Sequence, residues 1–160
     1  MKTIHQWLAE YQDSHLNPTN KLIHWICVPV IAFTVWGFLR AIPGGNDTVN
    51  VATVGGLAAF AYYTLLSWRL ALGMVPAFAA MYAATLWSYH RLGTEAHLWA
   101  MGSIFFVAWV GQFIGHHVEG KRPSFFKDLQ FLLIGPLWLM ADVYRKLDLP
   151  IDAPKAAAAQ

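Results

Sequence analysis

The sequence predicts an all-α, polytopic membrane bundle. About four transmembrane spans are expected, with an N-terminal amphipathic helix and a C-terminal re-entrant or interfacial helix. Three observations carry this. Hydrophobic residues make up 57% of the chain and charged residues 12%, where soluble domains carry roughly 25% charged residues. The mean hydropathy is +0.41. The apolar residues gather in runs of about 20, the length that crosses a bilayer as a helix, separated by short polar turns. The length of 160 residues suits one domain, read as 1–149, with a Pro/Ala-rich tail over 150–160 expected to be disordered.

Residues 1–14 place Ile4, Trp7, Leu8 and Tyr11 at helical spacing. This predicts an amphipathic helix lying at the membrane surface or packed on the bundle. The first 20 residues lack an apolar run, so the first hydrophobic segment is expected to remain as an anchor. Asn17-Pro18 then reads as an N-cap followed by a first helical residue. Leu22 to Ile42 is the first span and contains Pro29, which membrane helices tolerate. Pro43 to Asp47 is a polar turn. Val49 to Trp68 is the second span, rich in Gly and Ala that permit close helix approach. Leu70 to Tyr89 is the third, and His90 to Glu95 a short loop. Leu98 to Ile114 is the fourth. Leu129 to Met140 is apolar but short and carries Gly135-Pro136, which suits a half-embedded segment. The eight Trp and six Tyr suit interfacial belts.

Four crossings put the N-terminus and the segment after the fourth span on one side. That side collects Lys2, Lys21, Arg69, Lys121, Arg122 and Lys127, against Arg40 and Arg91 opposite. The positive-inside rule makes the richer side cytoplasmic.

Two polar motifs then share that boundary. His15-x-Asn17-Pro18-x-Asn20-Lys21-x-x-His24 opens the first span. Gln112-Phe113-Ile114-Gly115-His116-His117-Val118-Glu119 closes the fourth. His15 and His24 lie nine residues apart, on opposite sides of a single straight helix. The break at Asn17-Pro18 lets His15 fold back over the next helix start. Asn20 and His24 share a face, as do Gln112, His116 and Glu119. Polar groups at this depth need partners, an ion or a substrate. Neutral imidazoles suit Fe, Zn, Cu or Ni, and a cysteine-free histidine site with open positions fits a non-haem Fe(II) centre that handles O₂.

Blander roles stand beside this one. An interfacial histidine is more often a packing residue than a ligand, and His5 and His97 are assigned to that group; His90 fits either. Cys27, the single cysteine, reads as a small buried hydrophobe. A net charge of +2 with scattered basic residues does not indicate nucleic acid. No phosphate-binding glycine loop or nucleophile elbow appears. A non-catalytic lipid-binding or scaffold protein and a zinc-dependent membrane hydrolase are the alternatives, and an oligomer is compatible with either.

The two motifs, with Pro123 and Asp128-Leu129-Gln130, resemble the signatures of the family known as domain of unknown function 962, over roughly residues 10 to 147. The characterised eukaryotic branch of that family is a Fe(II)-dependent dioxygenase of the endoplasmic reticulum. It shortens 2-hydroxy fatty acids by one carbon in α-oxidation. The resemblance implies a lipid-metabolising dioxygenase in a membrane, with 2-hydroxy fatty acid and O₂ as substrates. It implies His15, His24 and His116 as metal ligands, with His117 or His90 as a fourth. Asn20, Gln112 and Glu119 become catalytic or ligand-orienting residues. Asn17, Lys21, Lys121 and Arg122 become candidates for the substrate carboxylate. The compact chain suggests a bacterial inner membrane, or the endoplasmic reticulum in a eukaryote.

Overall fold

The computed structural model describes residues 2–123 and 130–151. Phe125-Phe126, Lys127, Asp128-Leu129 and the tail beyond Ile151 lie outside the described residues. The described residues form helices joined by short connections, with no strand among them: α1 (Ile4–Gln12), α2 (Pro18–Ala41), α3 (Val51–Leu66), α4 (Trp68–Glu119) and α5 (Phe131–Lys146).

Each start has a local cause. Thr3 and Gln6 form a reciprocal capping box at α1, which satisfies donors the first turn would leave bare. Asn17 accepts from Thr19 N–H, with Pro18 as the first residue of α2. Asn50 and Thr53 repeat the capping box at α3. Ser67, in extended backbone, ends α3 and caps α4 through Leu70 N–H. The second apolar run is therefore a helix of 16 residues rather than the 20 expected from Val49 to Trp68.

The third and fourth runs belong to one helical stretch of 52 residues interrupted at Gly93, whose φ of 73° and ψ of 168° are not helical. Ser88 and His97, nine residues apart, would be about 13.5 Å apart along a straight helix. Their Oγ and Nδ1 atoms lie 3.1 Å apart, so the chain folds back at Gly93. The loop expected over His90 to Glu95 contracts to this one glycine, with helix on both sides. The first arm spans 68–92 and the second 94–119.

α2 runs antiparallel to the second arm. Gly37 lies against Met101, Cys27 against Gly111, and Asn20 against Gly115. A methyl group at Gly111 would come within 2.7 Å of the Cys27 sulfur, and one at Gly115 within 2.4 Å of Asn20 Oδ1. The glycines are what let the backbones approach, as small residues do between membrane helices. α3 packs on α2 in the same manner, with Gly56 against Trp36. α1 lays its apolar face on α5: Trp7 meets Phe131 edge-on at 5.1 Å and Tyr11 meets Trp138 at 5.2 Å. α5 is joined to α3 by Tyr63 O–H donating to Leu133 O (2.8 Å) and to α4 by Tyr144 O–H donating to Arg69 O (2.5 Å). Gly135 is buried and Pro136 half-buried.

α2 and α4 are long and apolar enough to cross a membrane, and only 22% of the most apolar stretch of each is buried inside the protein. The core helix of a soluble protein would hide most of such a stretch. Here Leu22, Ile26, Leu57, Leu65, Trp99 and Phe106 are among many large apolar side chains facing outward.

Gly93 and Gly102 separate backbone strain from packing. An added Cβ meets nothing within 4 Å at either, but only Gly93 has positive φ. Gly93→Ala is expected to lower unfolding stability by about 1–3 kcal/mol. Gly102→Ala, in helical backbone, is expected to leave it unchanged or raise it by up to about 1 kcal/mol. Thermal unfolding of both variants in detergent checks the contrast.

Candidate metal centre

Three short stretches bring the histidines together. After α1 the chain turns tightly, with Ser14 N–H donating to Tyr11 O and His15 N–H to Gln12 O. Gln12 closes the turn by donating its amide to His15 O (2.9 Å). The His15 ring stacks on Tyr11, with centroids 4.2 Å apart and planes within 4°, and Trp138 flanks it at 5.2 Å. His24 comes from the second turn of α2 and His116 from the last turn of α4. All three are buried, and they offer ring nitrogens that lie within 4.8 Å of one another. The ring centroids are 4.2 Å apart for His15–His24, 5.0 Å for His15–His116 and 4.9 Å for His24–His116.

The hydrogen bonds fix the chemistry of two rings. His15 Nδ1–H donates to Tyr11 O (2.5 Å) and His24 Nδ1–H to Asn20 O (2.9 Å). A carbonyl only accepts, so each Nδ1 carries the hydrogen and each Nε2 presents a lone pair. Those two Nε2 atoms lie 2.9 Å apart. Bare lone pairs at that distance repel unless a cation lies between them. A proton is a poor candidate, because burial and the His24 imidazole push the His15 pKa down from 6.5 to about 3. Two nitrogens so placed can both reach one metal ion at the ~2.1 Å usual for imidazole.

The surroundings also suit a bound group. Among the cavity-lining residues, His116 Nδ1 and Gln112 Nε2 are buried without a hydrogen-bond partner. Buried polar atoms are rarely left so. The donor set is three neutral imidazoles with no thiolate, which suits iron, zinc, copper or nickel.

Glu119 is placed differently from a ligand. Its Oε1 accepts from Leu16 N–H (2.9 Å), and its Oε2 accepts from Asn17 N–H (2.9 Å) and Asn20 Nδ2 (3.0 Å). Both oxygens are engaged in fastening the 14–17 turn to the end of α4, which carries His15 over the other two rings. Lys121 Nζ donates to Asp13 O (2.5 Å) and adds a second fastening. Asn20 Nδ2 also donates to Ser14 O (3.1 Å). Asn17 is the cap of α2. His117 and Arg122 are exposed, Lys21 is half-buried, and His117 is outside the triad. His90 lies at the opposite end of the bundle, 3.0 Å from Asp47. The 42–50 turn, Gly93 and His90 make up that far end.

A cavity of about 470 Å³ begins at the triad. His15, His24, His116 and Gln112 line one end. Beyond them the walls are apolar, from Val28 to Leu39 on α2, Ala52 to Tyr63 on α3, Met74 to Met81 and Phe105 to Trp109 on α4, and the start of α5. The Tyr11 carbonyl, the flanking Trp138 and the Gly111-x-x-x-Gly115 pair were not singled out from the sequence. The Gly-x-x-x-Gly spacing was the available signal. Tyr11 read only as part of the apolar face of the N-terminal helix.

These features define a class: a helical membrane-type bundle with a three-histidine centre at the head of an apolar cavity. The chain belongs to the Mpo1-like family, whose model, described as 2-hydroxy-palmitic acid dioxygenase Mpo1-like, matches residues 1–147. A similar protein is the 2-hydroxy-palmitic acid dioxygenase MPO1 of Saccharomyces cerevisiae (strain ATCC 204508 / S288c). It is 29% identical over 142 residues, covering 88% of this chain and 79% of that protein. No solved structure matches the chain.

Two outcomes follow from the site. Glu119→Ala removes the acceptor of three N–H groups, so the amides of residues 14–17 are expected to exchange hydrogen at least about ten-fold faster while α3 is unaffected. Equal exchange in parent and variant would show that other contacts hold the turn. The second concerns pH. In chelator-treated protein the unfolded chain takes up a proton at His15 near pH 6.5, whereas the native chain does so only near pH 3. Stability should therefore be complete above about pH 6.5 and fall as pH drops toward about 3. Denaturant unfolding across that window measures the slope, which His15→Gln is expected to flatten.

Proposed function

We propose that this protein is a Fe(II)-dependent dioxygenase that shortens 2-hydroxy fatty acids by one carbon. The observation that carries the reading is the meeting of three buried, cysteine-free imidazoles with the head of an apolar cavity. The 2-hydroxy-palmitic acid dioxygenase named in both comparisons gives the substrate class. The reaction balances as R–CH(OH)–COOH + O₂ → R–COOH + CO₂ + H₂O, with the C1–C2 bond broken and O₂ as the oxidant.

His15, His24 and His116 would hold the iron, which when bound supplies the redox chemistry with O₂ and a Lewis acid for the hydroxy acid. Tyr11 O and Asn20 O keep two of the rings in the ligating tautomer, as hydrogen-bond partners of ligating histidines do. Gln112, one turn before His116, offers its unpartnered Nε2–H to the substrate hydroxyl or carboxylate. The apolar walls take the acyl chain, exclude water and leave the headgroup at the triad. Lys21 and Arg122 draw the carboxylate toward this end of the bundle.

The same reading sets the topology. α2, α3 and the two arms of α4 make four crossings in one domain over 1–149, with α5 half-embedded. The triad then lies at the cytoplasmic boundary, where the basic residues are concentrated.

The test is metal analysis of protein purified anaerobically in mild detergent, with O₂ uptake on 2-hydroxyhexadecanoate. Near-stoichiometric iron and substrate-dependent O₂ uptake are expected. His24→Ala and His116→Ala should each lose both, by more than the ~10–100-fold typical of a lost outer-shell partner. Zinc without O₂ uptake would replace this reading with a hydrolase. Failure to bind added Fe(II) would replace it with a lipid-binding scaffold.

A further inference from the structure

We infer that the far end of the cavity is an acyl-chain ruler, set by Leu39 with Ala52 and Gly55, that limits bound chains to about 17 carbons. The inference deepens the proposed function and rests on it for the nature of the headgroup.

The cavity has a polar end and an apolar end. The polar end carries a buried, unpartnered amide beside the triad, Gln112 Nε2, which marks the seat of a polar headgroup. From there the lining follows α2 from His24 to Leu39, 15 residues that rise about 22 Å. An extended saturated chain advances about 1.25 Å per carbon, given C–C bonds of about 1.5 Å at about 111°. The length therefore accommodates about 17 carbons.

What bounds the far end is also specific. Ala52, Gly55, Gly56 and Ala59 all line the cavity, and their spacing of i, i+3, i+4 and i+7 makes them one face of α3. None of these four carries a side chain larger than methyl; the Trp36 ring lies over Gly56 and the larger Tyr63 continues the face toward the triad, which leaves Ala52 and Gly55 beside the far part of the cavity. The cavity closes against Leu39, whose Cδ1 would lie 3.3 Å from a Cβ added at Gly55. A larger residue on this face must fill the chain's path, and a smaller one at Leu39 must lengthen it.

The full-length protein in detergent is offered an equimolar mixture of saturated 2-hydroxy acids of roughly 12 to 22 carbons, and the retained acids are read by native mass spectrometry. Retention is expected up to about 17 carbons and at least about ten-fold lower for the longest acid. Gly55→Leu should lower the cutoff by about three carbons, because the leucine side chain reaches about 4 Å. Ala52→Leu, on the same face, should act in the same direction. Leu39→Ala should raise the cutoff. Opposite shifts cannot come from general destabilisation, which reduces retention of every length together. A cutoff that none of the three variants moves, or a flat parental profile, would overturn the ruler. A flat profile with O₂ uptake intact would sink the ruler and spare the reaction. A cutoff that shifts as expected without O₂ uptake would do the reverse.

Discussion

The approach of His15 Nε2 to His24 Nε2 at 2.9 Å is the constraint on which the site depends. It would be unfavourable in isolation, because both rings have their hydrogens committed to backbone carbonyls. The fold holds the rings there regardless, through the Tyr11 stack, the Gln12 turn closure and the Glu119 fastening. Two lone pairs brought this close repel each other, and a cation placed against both would turn that repulsion into attraction. The ligand geometry is thus prepared by groups that touch no ligand position themselves. Glu119 acts this way: a carboxylate that receives three N–H groups is too well satisfied to serve as a fourth ligand without giving some of them up.

The glycines of the second arm of α4 make that preparation possible. Gly115 lets Asn20 lie against the helix carrying His116, and Asn20 in turn supplies a carbonyl to His24 and an amide to Glu119. A side chain at Gly115 would push α2 outward and separate His24 from His116. Helix packing and site geometry are the same contact seen from two sides. In a membrane this coupling is strong, since helix association there relies on close packing rather than on burial from water.

The parts of the fold visible in the sequence are those set by local chemistry. Asn17-Pro18 signalled a helix start because a side-chain acceptor and a missing N–H suit that position whatever surrounds it. The break between His15 and His24 followed, and with it the chance that the two rings meet. Gly93 was hidden inside His90 to Glu95, which reads as a polar loop; a single residue of positive φ suffices to turn the chain. The end of α3 was hidden for a related reason. Ser67 interrupts an apolar run too briefly to alter its hydropathy, yet it caps the next helix. Glu119 showed its face but not its partners, because its three donors lie about 100 residues away in the chain. No local pattern encodes that contact.

Two buried histidine clusters show why polarity alone does not mark a site. His97 is as deeply buried as His15, and lies on the same long helix as His116. Its Nδ1 meets Ser88 Oγ at 3.1 Å and its Nε2 meets Gly37 O at 3.1 Å. Both nitrogens are satisfied within the protein, so His97 pins the two arms of α4 to α2 and has nothing left to offer a ligand. His116 keeps Nδ1 buried without a partner, beside an amide in the same condition. Leaving such groups unpaired costs about 1–3 kcal/mol each, a penalty that packing did not remove although it removed it at His97. The difference lies in the cavity. At His97 the helices close on the ring, whereas at His116 they open onto an apolar space long enough for an acyl chain. Unsatisfied polar groups at the mouth of a space with apolar walls are complementary to an amphiphile, whose headgroup and tail have those two needs in that order.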